Sequence, residues 1–224
     1  MATVSFAQTQ LTLAKPETPP GPQSSREVQP WSPQLEGQFG PSDLSPPFLS
    51  LCQKSGLITD EHPDWVGKWV YDKTRCLGPE IQVIFFRLRK FYEEETEFGG
   101  PTIPQRFDTK AAADAKNVEV RDAVEAELVI QSPKSEAGSF AIIAGDSCLL
   151  PCRYMVRNTA YSRVVSTLLK DMAGWLKNDL TSGQYRLGTE RRQSGTNSWF
   201  VPKLTAAGPT PEAVRNALRE KLGV

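Results

Sequence analysis

Few residues in this chain are of types and spacings that could do chemistry. His62 is the only histidine. It stands between Glu61 and Pro63 in a polar stretch with no nucleophile motif around it, so it reads as a solvated loop residue rather than a base. Cys148 and Cys152 are four positions apart. On a strand they share a face but stand about 13 Å apart at roughly 3.3 Å per residue, too far to chelate one ion. A bulge at Pro151 would be needed to gather them with Cys52 and Cys76, and buried small hydrophobes are the simpler reading. Glu93, Glu94, Glu95 and Glu97 cluster, but an adjacent run on one loop cannot be told from a solvated turn, whereas a two-metal nuclease draws its carboxylates from separated elements. Neither GxxxxGK[ST] nor GxGxxG occurs, so nothing in the sequence argues for a phosphate-loop nucleotide site. No catalytic residue, metal ligand or cofactor is nominated, and a non-enzymatic protein is expected.

What remains is basic residues interleaved with aromatics. Arg87, Arg89, Lys90 and Tyr92 lie together; Arg153, Tyr154 and Arg157 repeat the theme; Tyr185, Arg186, Arg191, Arg192, Trp199 and Lys203 repeat it again. Single-stranded nucleic-acid binders need this pairing, because cations follow the phosphates while aromatic faces stack on unpaired bases. The plainer reading is that the aromatics are core and the arginines ordinary surface. Charge distribution favours the first reading. The net charge is zero, yet residues 1–150 hold 14 Lys/Arg against 21 Asp/Glu and residues 151–224 hold 12 against 5. A basic face drawn from that last third would suit a polyanion.

The elements that must position these residues begin near Pro47. Nine of the 18 prolines fall between Pro16 and Pro47, and such a composition cannot bury enough apolar surface to order itself. Residues 1–45 therefore read as a disordered Pro-rich arm with Trp31, Phe39 and Phe48 as local anchors, and 46–224 as one domain. No apolar run approaches the roughly 18 residues of a membrane span, and the N-terminus has no secretory pattern. Four cysteines in this length fit a reducing compartment.

Along the domain, Trp65–Tyr71 suggests a strand kinked at Gly67. The segment EIQVIFFRLRKFYEE is the strongest strand, with Ile81, Val83 and Phe85 pointing one way and Ile84, Phe86 and Leu88 the other, as in a central strand. Residues 108–126 read as helical at least to Lys116, capped by Asp108 or Thr109. AELVIQ, SFAIIAG and SCLLPCRYMV are strand candidates with turns at Gly138 and Gly145-Asp146. The best amphipathic helix runs from Thr159 to Lys177, where Tyr161, Val164, Val165, Leu168, Met172, Trp175 and Leu176 share a face and Arg163, Lys170 and Asp171 lie mostly on the other. A hairpin follows, QYRLGTERR and NSWFVPKL, then a helix from Thr210 to Leu222 with Pro211 and Gly223 as start and stop. Six or seven strands with two or three helices, not in strict alternation, predict an α+β fold. It is a mainly antiparallel sheet or a small barrel like the oligonucleotide-binding (OB) fold, with a core helix and a C-terminal helix.

The order PFLSLCQKSG, GKWVYDK, IQVIFFRLRKFYEE, ELVIQSP, IIAGDSCLLPCRYMV and NSWFVPKL resembles tailed-phage proteins, some of them classed with phage single-stranded DNA-binding proteins. The resemblance spans residues 47–204. It implies an OB-like fold and a non-enzymatic single-stranded DNA-binding protein acting in phage replication or recombination in the host cytoplasm. The partners it implies are single-stranded nucleic acid, with replication or recombination proteins and self-association left open. One departure is the C-terminus, ALREKLGV, which is not the acidic tail by which many replication single-strand binders recruit partners. The alternative expectation is a phage structural or assembly protein whose Pro-rich arm contacts a neighbouring subunit.

Overall fold

The computed structural model describes residues 46–55, 57–96, 103–132 and 141–224. The expected arm and the turn at Gly138 lie outside the described residues. Among the described residues ten strands form one curled sheet, and the fold is mixed α+β. They are β1 (Phe48–Leu51), β2 (Trp69–Tyr71), β3 (Arg75–Gly78), β4 (Glu80–Glu94), β5 (Arg106–Phe107), β6 (Val120–Ser132), β7 (Ile142–Ala144), β8 (Ser147–Arg157), β9 (Gly183–Ser194) and β10 (Asn197–Pro209). The order is β10-β9-β4-β6-β8-β1-β2-β3, with β5 beside β4 and β7 beside β8. Pairing is antiparallel except between β1 and β8. Short helices α1 (Leu57–Glu61) and α2 (Lys110–Asp114) sit in connections.

The core helix is continuous over 158–173 and is built from α3 (Asn158–Ala160), a π-helical turn (Tyr161–Val165) and α4 (Ser166–Ala173). It packs Val164, Val165 and Leu168 on Val83, Phe85, Val124, Leu128, Leu150, Val156 and Leu187 of the sheet. The opposite face of the sheet carries a smaller core, in which Ile84, Val129 and Leu149 meet Val214 and Leu218 of the C-terminal helix α5 (Glu212–Leu222). Two cores on two faces are what the all-apolar middle of β4 requires. Gly223 ends α5 at φ 66°, and its N–H donates to the Arg219 carbonyl, a left-handed cap that glycine adopts without a Cβ penalty.

The structure departs from the sequence reading in four places. A register shift between Phe85 and Arg87 bulges β4. Beyond it the alternation inverts, so Leu88 joins the core-helix cluster of Val83 and Phe85 instead of lying opposite. Residues 108–126 are helical only at α2, capped by the Thr109 hydroxyl on the Ala112 N–H. From Val120 the chain is strand, because alternating burial between two neighbouring strands outweighs the alanine helix propensity upstream. The core helix stops at Gly174, before Trp175, which is exposed, and Leu176, which is buried. The Trp65–Tyr71 strand shortens to β2 after a 3₁₀ turn, Pro63–Trp65. No helix among the described residues is long and apolar enough to cross a membrane.

Candidate nucleic-acid interface

β9 and β10 form a long hairpin in which Arg186 faces Thr205, Gly188 faces Lys203, Glu190 faces Val201 and Arg192 faces Trp199. Side chains alternate along a strand, so these eight positions share one face of the ribbon. Arg186 and Arg192 are six residues apart, about 20 Å at roughly 3.4 Å per residue. Lys203 lies between them, and Trp199 stands exposed at the far end. No described carboxylate pairs with Arg186 or Lys203. They line a shallow hollow with Glu80, Gly188 and Thr205.

Two further cations reach the hairpin from elsewhere. Arg163, carried by the π turn of the core helix, donates Nη1 to Glu190 Oε2 at 2.9 Å, while Arg192 Nη2 meets Glu190 Oε1 at 2.9 Å. Glu190 is thus bracketed by two guanidiniums. On the other face of the ribbon, Lys54 Nζ donates to Ser198 Oγ at 2.7 Å and Arg191 Nη2 lies 3.4 Å from the same oxygen. The loop bearing Lys54 is tied to β10 by Gln53. Its Nε2 donates to the Phe200 carbonyl at 2.9 Å and its Oε1 accepts from the Phe200 N–H at 3.0 Å. The tip therefore holds Arg163 and Arg192 on Glu190 beside Trp199 on one face, and Lys54 and Arg191 on Ser198 on the other. Sequence reasoning named Arg191, Arg192 and Trp199 but missed Lys54 and Arg163. Only their tertiary contacts bring them there, and no sequence signal marks them.

The remaining candidates, Arg157 apart, fall into two groups. After the β4 bulge, Arg87 pairs with Glu127 at 3.0 Å, Arg89 with Asp108 at 3.0 Å, Lys90 with Asp122 at 3.0 Å and Arg153 with Glu125 at 3.6 Å. The hydrogen bond to Asp122 holds the Lys90 ammonium above its ordinary pKa, and Lys90 also lies over the half-buried Tyr92 ring. Each of these cations already has a carboxylate, so a phosphate would have to displace an internal partner. They are weaker anion ligands than Arg186 and Lys203, which have no carboxylate partner among the described residues. The second group is corrected outright as stacking platforms. Tyr154 is buried edge-on to Trp69. Tyr185 is buried edge-on to Phe85, with its hydroxyl on Asp171 at 3.0 Å. Both alternate onto the core-helix face, where the sheet needs volume, and burial raises both phenol pKa values.

Arg157 belongs to a different cluster. Glu93, 1 % exposed, accepts from Arg157 Nη2 at 2.8 Å and from Arg121 Nη2 at 3.0 Å, with Arg106 Nε 3.7 Å away. Glu93, the first of the acidic run, is therefore no solvated turn residue: β5, β6 and β8 each bring an arginine to it. Cys148 and Cys152 are both buried with free thiols. β8 keeps an unbroken register on β6 through Pro151, so no bulge brings the two together. No group of three or more His, Cys, Asp or Glu side chains is gathered for a metal ion among the described residues.

Comparison with protein-family models, with curated proteins and with solved structures gives no match to this chain.

Proposed function

We propose that the chain binds single-stranded nucleic acid without transforming it. The observation that carries this is the exposed Trp199 beside Arg192, at the end of a ribbon face whose other cations, Arg186 and Lys203, have no carboxylate partner among the described residues. A stacking ring needs the face of an unpaired base, and cations without internal partners can follow a phosphate backbone, so the chemistry favours a single strand. The curled, mainly antiparallel sheet is compatible with an OB-like barrel, a fold that presents such faces. Action in phage-type replication or recombination in the host cytoplasm, which the resemblance implies, belongs to the same proposal.

The test is a fluorescence-anisotropy titration with labelled single-stranded oligonucleotides at two salt concentrations. Affinity should fall with salt, and the log–log slope should become shallower by about 0.7 for each phosphate contact removed, as with Arg186→Ala or Lys203→Ala. Absence of affinity at about 50 mM salt, where electrostatic binding is strong, would sink the proposal. Stable self-association without nucleic acid would then favour the assembly alternative.

A further inference from the structure

The cluster around Glu93 carries a charge imbalance that the hairpin does not use. Three guanidiniums, Arg106, Arg121 and Arg157, converge on one buried carboxylate, and no other described carboxylate pairs with any of them. One negative charge against three positive leaves an excess of two. Strand pairing fixes the arrangement: Arg106 and Arg121 are the cross-strand neighbours of Glu93 on its two sides, and Arg157 lies one strand beyond, on β8 beside β6.

The guanidiniums are not saturated. Each offers five N–H donors in a planar fork, and the Nε atoms of Arg121 and Arg157 are buried without a hydrogen-bond partner. Arg121 Nη1 reaches only as far as Asn158 Oδ1, at 3.5 Å. Asn158 holds a left-handed backbone at φ 50°, a conformation commoner at functional positions than elsewhere. It opens the core helix, whose first N–H groups have no side-chain cap. Burial lowers the Arg157 pKa, and the neighbouring Arg106 and Arg121 charges lower it further against the opposing pull of Glu93. A second anion would relieve that repulsion.

We propose that Arg106, Arg121 and Arg157, held together by the buried Glu93, form a binding site for a phosphate dianion. Its two charges match the excess, and its oxygens match the forks that guanidiniums present. The dianion is either free inorganic phosphate or the terminal phosphate of a nucleic-acid strand; only the second source rests on the nucleic-acid reading. Geometry connects the two sites. Arg157 leads directly into α3, which packs against β10. Arg163, on Glu190 of the hairpin, is six residues further on, about 9 Å along a helix at 1.5 Å per residue.

The test uses the full chain and two probes. Isothermal titration with inorganic phosphate, against chloride at matched ionic strength, should give saturable binding at one equivalent. Arg106→Gln should weaken it at least about tenfold, while Lys170→Gln, an exposed control with the same charge change, leaves it as it was. Arg106 is chosen because it is half exposed and farthest from Glu93, so the Arg121 and Arg157 pairs survive its loss; Arg106→Lys serves if Gln impairs folding. Oligonucleotides with 5′- or 3′-phosphate are then compared with their hydroxyl counterparts. A terminal-phosphate advantage of about tenfold, lost in the Arg106 variant, identifies the strand end as the ligand. Phosphate binding that depends on Arg106 without that advantage supports the site with free phosphate as its ligand, even if no oligonucleotide binds anywhere. Phosphate binding that is absent, or equally affected by Arg106→Gln and Lys170→Gln, overturns the site even if oligonucleotides bind the hairpin.

Discussion

Trp199 and Leu168 are both large apolar residues with opposite surroundings. Leu168 is fully buried on the sheet-facing side of the core helix, whereas Trp199 is 39 % exposed. Leu168→Ala leaves a cavity and should cost about 2–5 kcal/mol in urea unfolding; a loss below about 0.5 kcal/mol would mean that the packed face is misassigned. Trp199→Ala should leave circular dichroism and the unfolding midpoint near wild type. It should weaken oligonucleotide binding by about 1–3 kcal/mol with little change in salt slope, because stacking releases no counterions. Unfolding on that substitution would instead make Trp199 a packing residue. Gly67 gives a third residue-scale outcome. It sits at φ 78°, and a Cβ there would lie 2.6 Å from the Phe200 ring. Gly67→Ala should therefore cost on the order of 1–3 kcal/mol in unfolding free energy, through left-handed strain and displacement of that ring.

Among the elements, the junction between the core helix, the hairpin and α5 depends on one carboxylate. Asp179 accepts from the Thr181 N–H at 3.0 Å, the Thr181 hydroxyl at 2.6 Å, the Ser182 hydroxyl at 2.7 Å and Arg215 of α5 at 3.2 Å. Burial by itself raises the carboxyl pKa, but the hydroxyls, the N–H and the Arg215 charge outweigh it, and the net shift is downward. A depressed carboxyl stabilises the fold fully above its unfolded value of about 3.9, and that stabilisation disappears as pH falls through the lower folded value. Asp179→Asn should thus reduce stability at pH 7 by about 1–2 kcal/mol. The gap between variant and wild type should close below about pH 4. A gap that persists unchanged at pH 2–3 would show that the charge is not responsible.

For the whole molecule, the hairpin tip is held against the loop after β1 by Gln53, whose amide occupies the position that a neighbouring strand would take beside Phe200. Thr189 strengthens the closure by donating to the Gly67 carbonyl at 2.9 Å. Gln53→Ala should cost about 1–2 kcal/mol. It should also speed hydrogen exchange at the Phe200 amide far more than at β4 or β6, and weaken oligonucleotide binding by separating Lys54 from Arg191. Uniformly faster exchange would show that the loop, the hairpin and the central strands open as one unit.

Local pattern in the sequence determined much of the architecture. The alternation in β4, the strand–turn–strand spacing of the β9–β10 hairpin, the amphipathic run after Arg157 and the Pro211 and Gly223 signals of the last helix are all local, and all appear as α+β structure with a core helix and a C-terminal helix. The basic character of the hairpin was legible in the same way. What only the tertiary structure decided is which charges meet. A one-residue bulge after Phe85 inverts the facing of Leu88, Arg87 and Arg89, and nothing local in Phe-Phe-Arg announces it. Register between distant strands buries Glu93 among arginines 13, 28 and 64 positions away. Tyr154 and Tyr185 share composition and spacing with surface aromatics, and only the curl of the sheet under the core helix puts them inside. Charge pairing and burial are set by non-local contacts, whose energies depend on distance in space and not on distance along the chain.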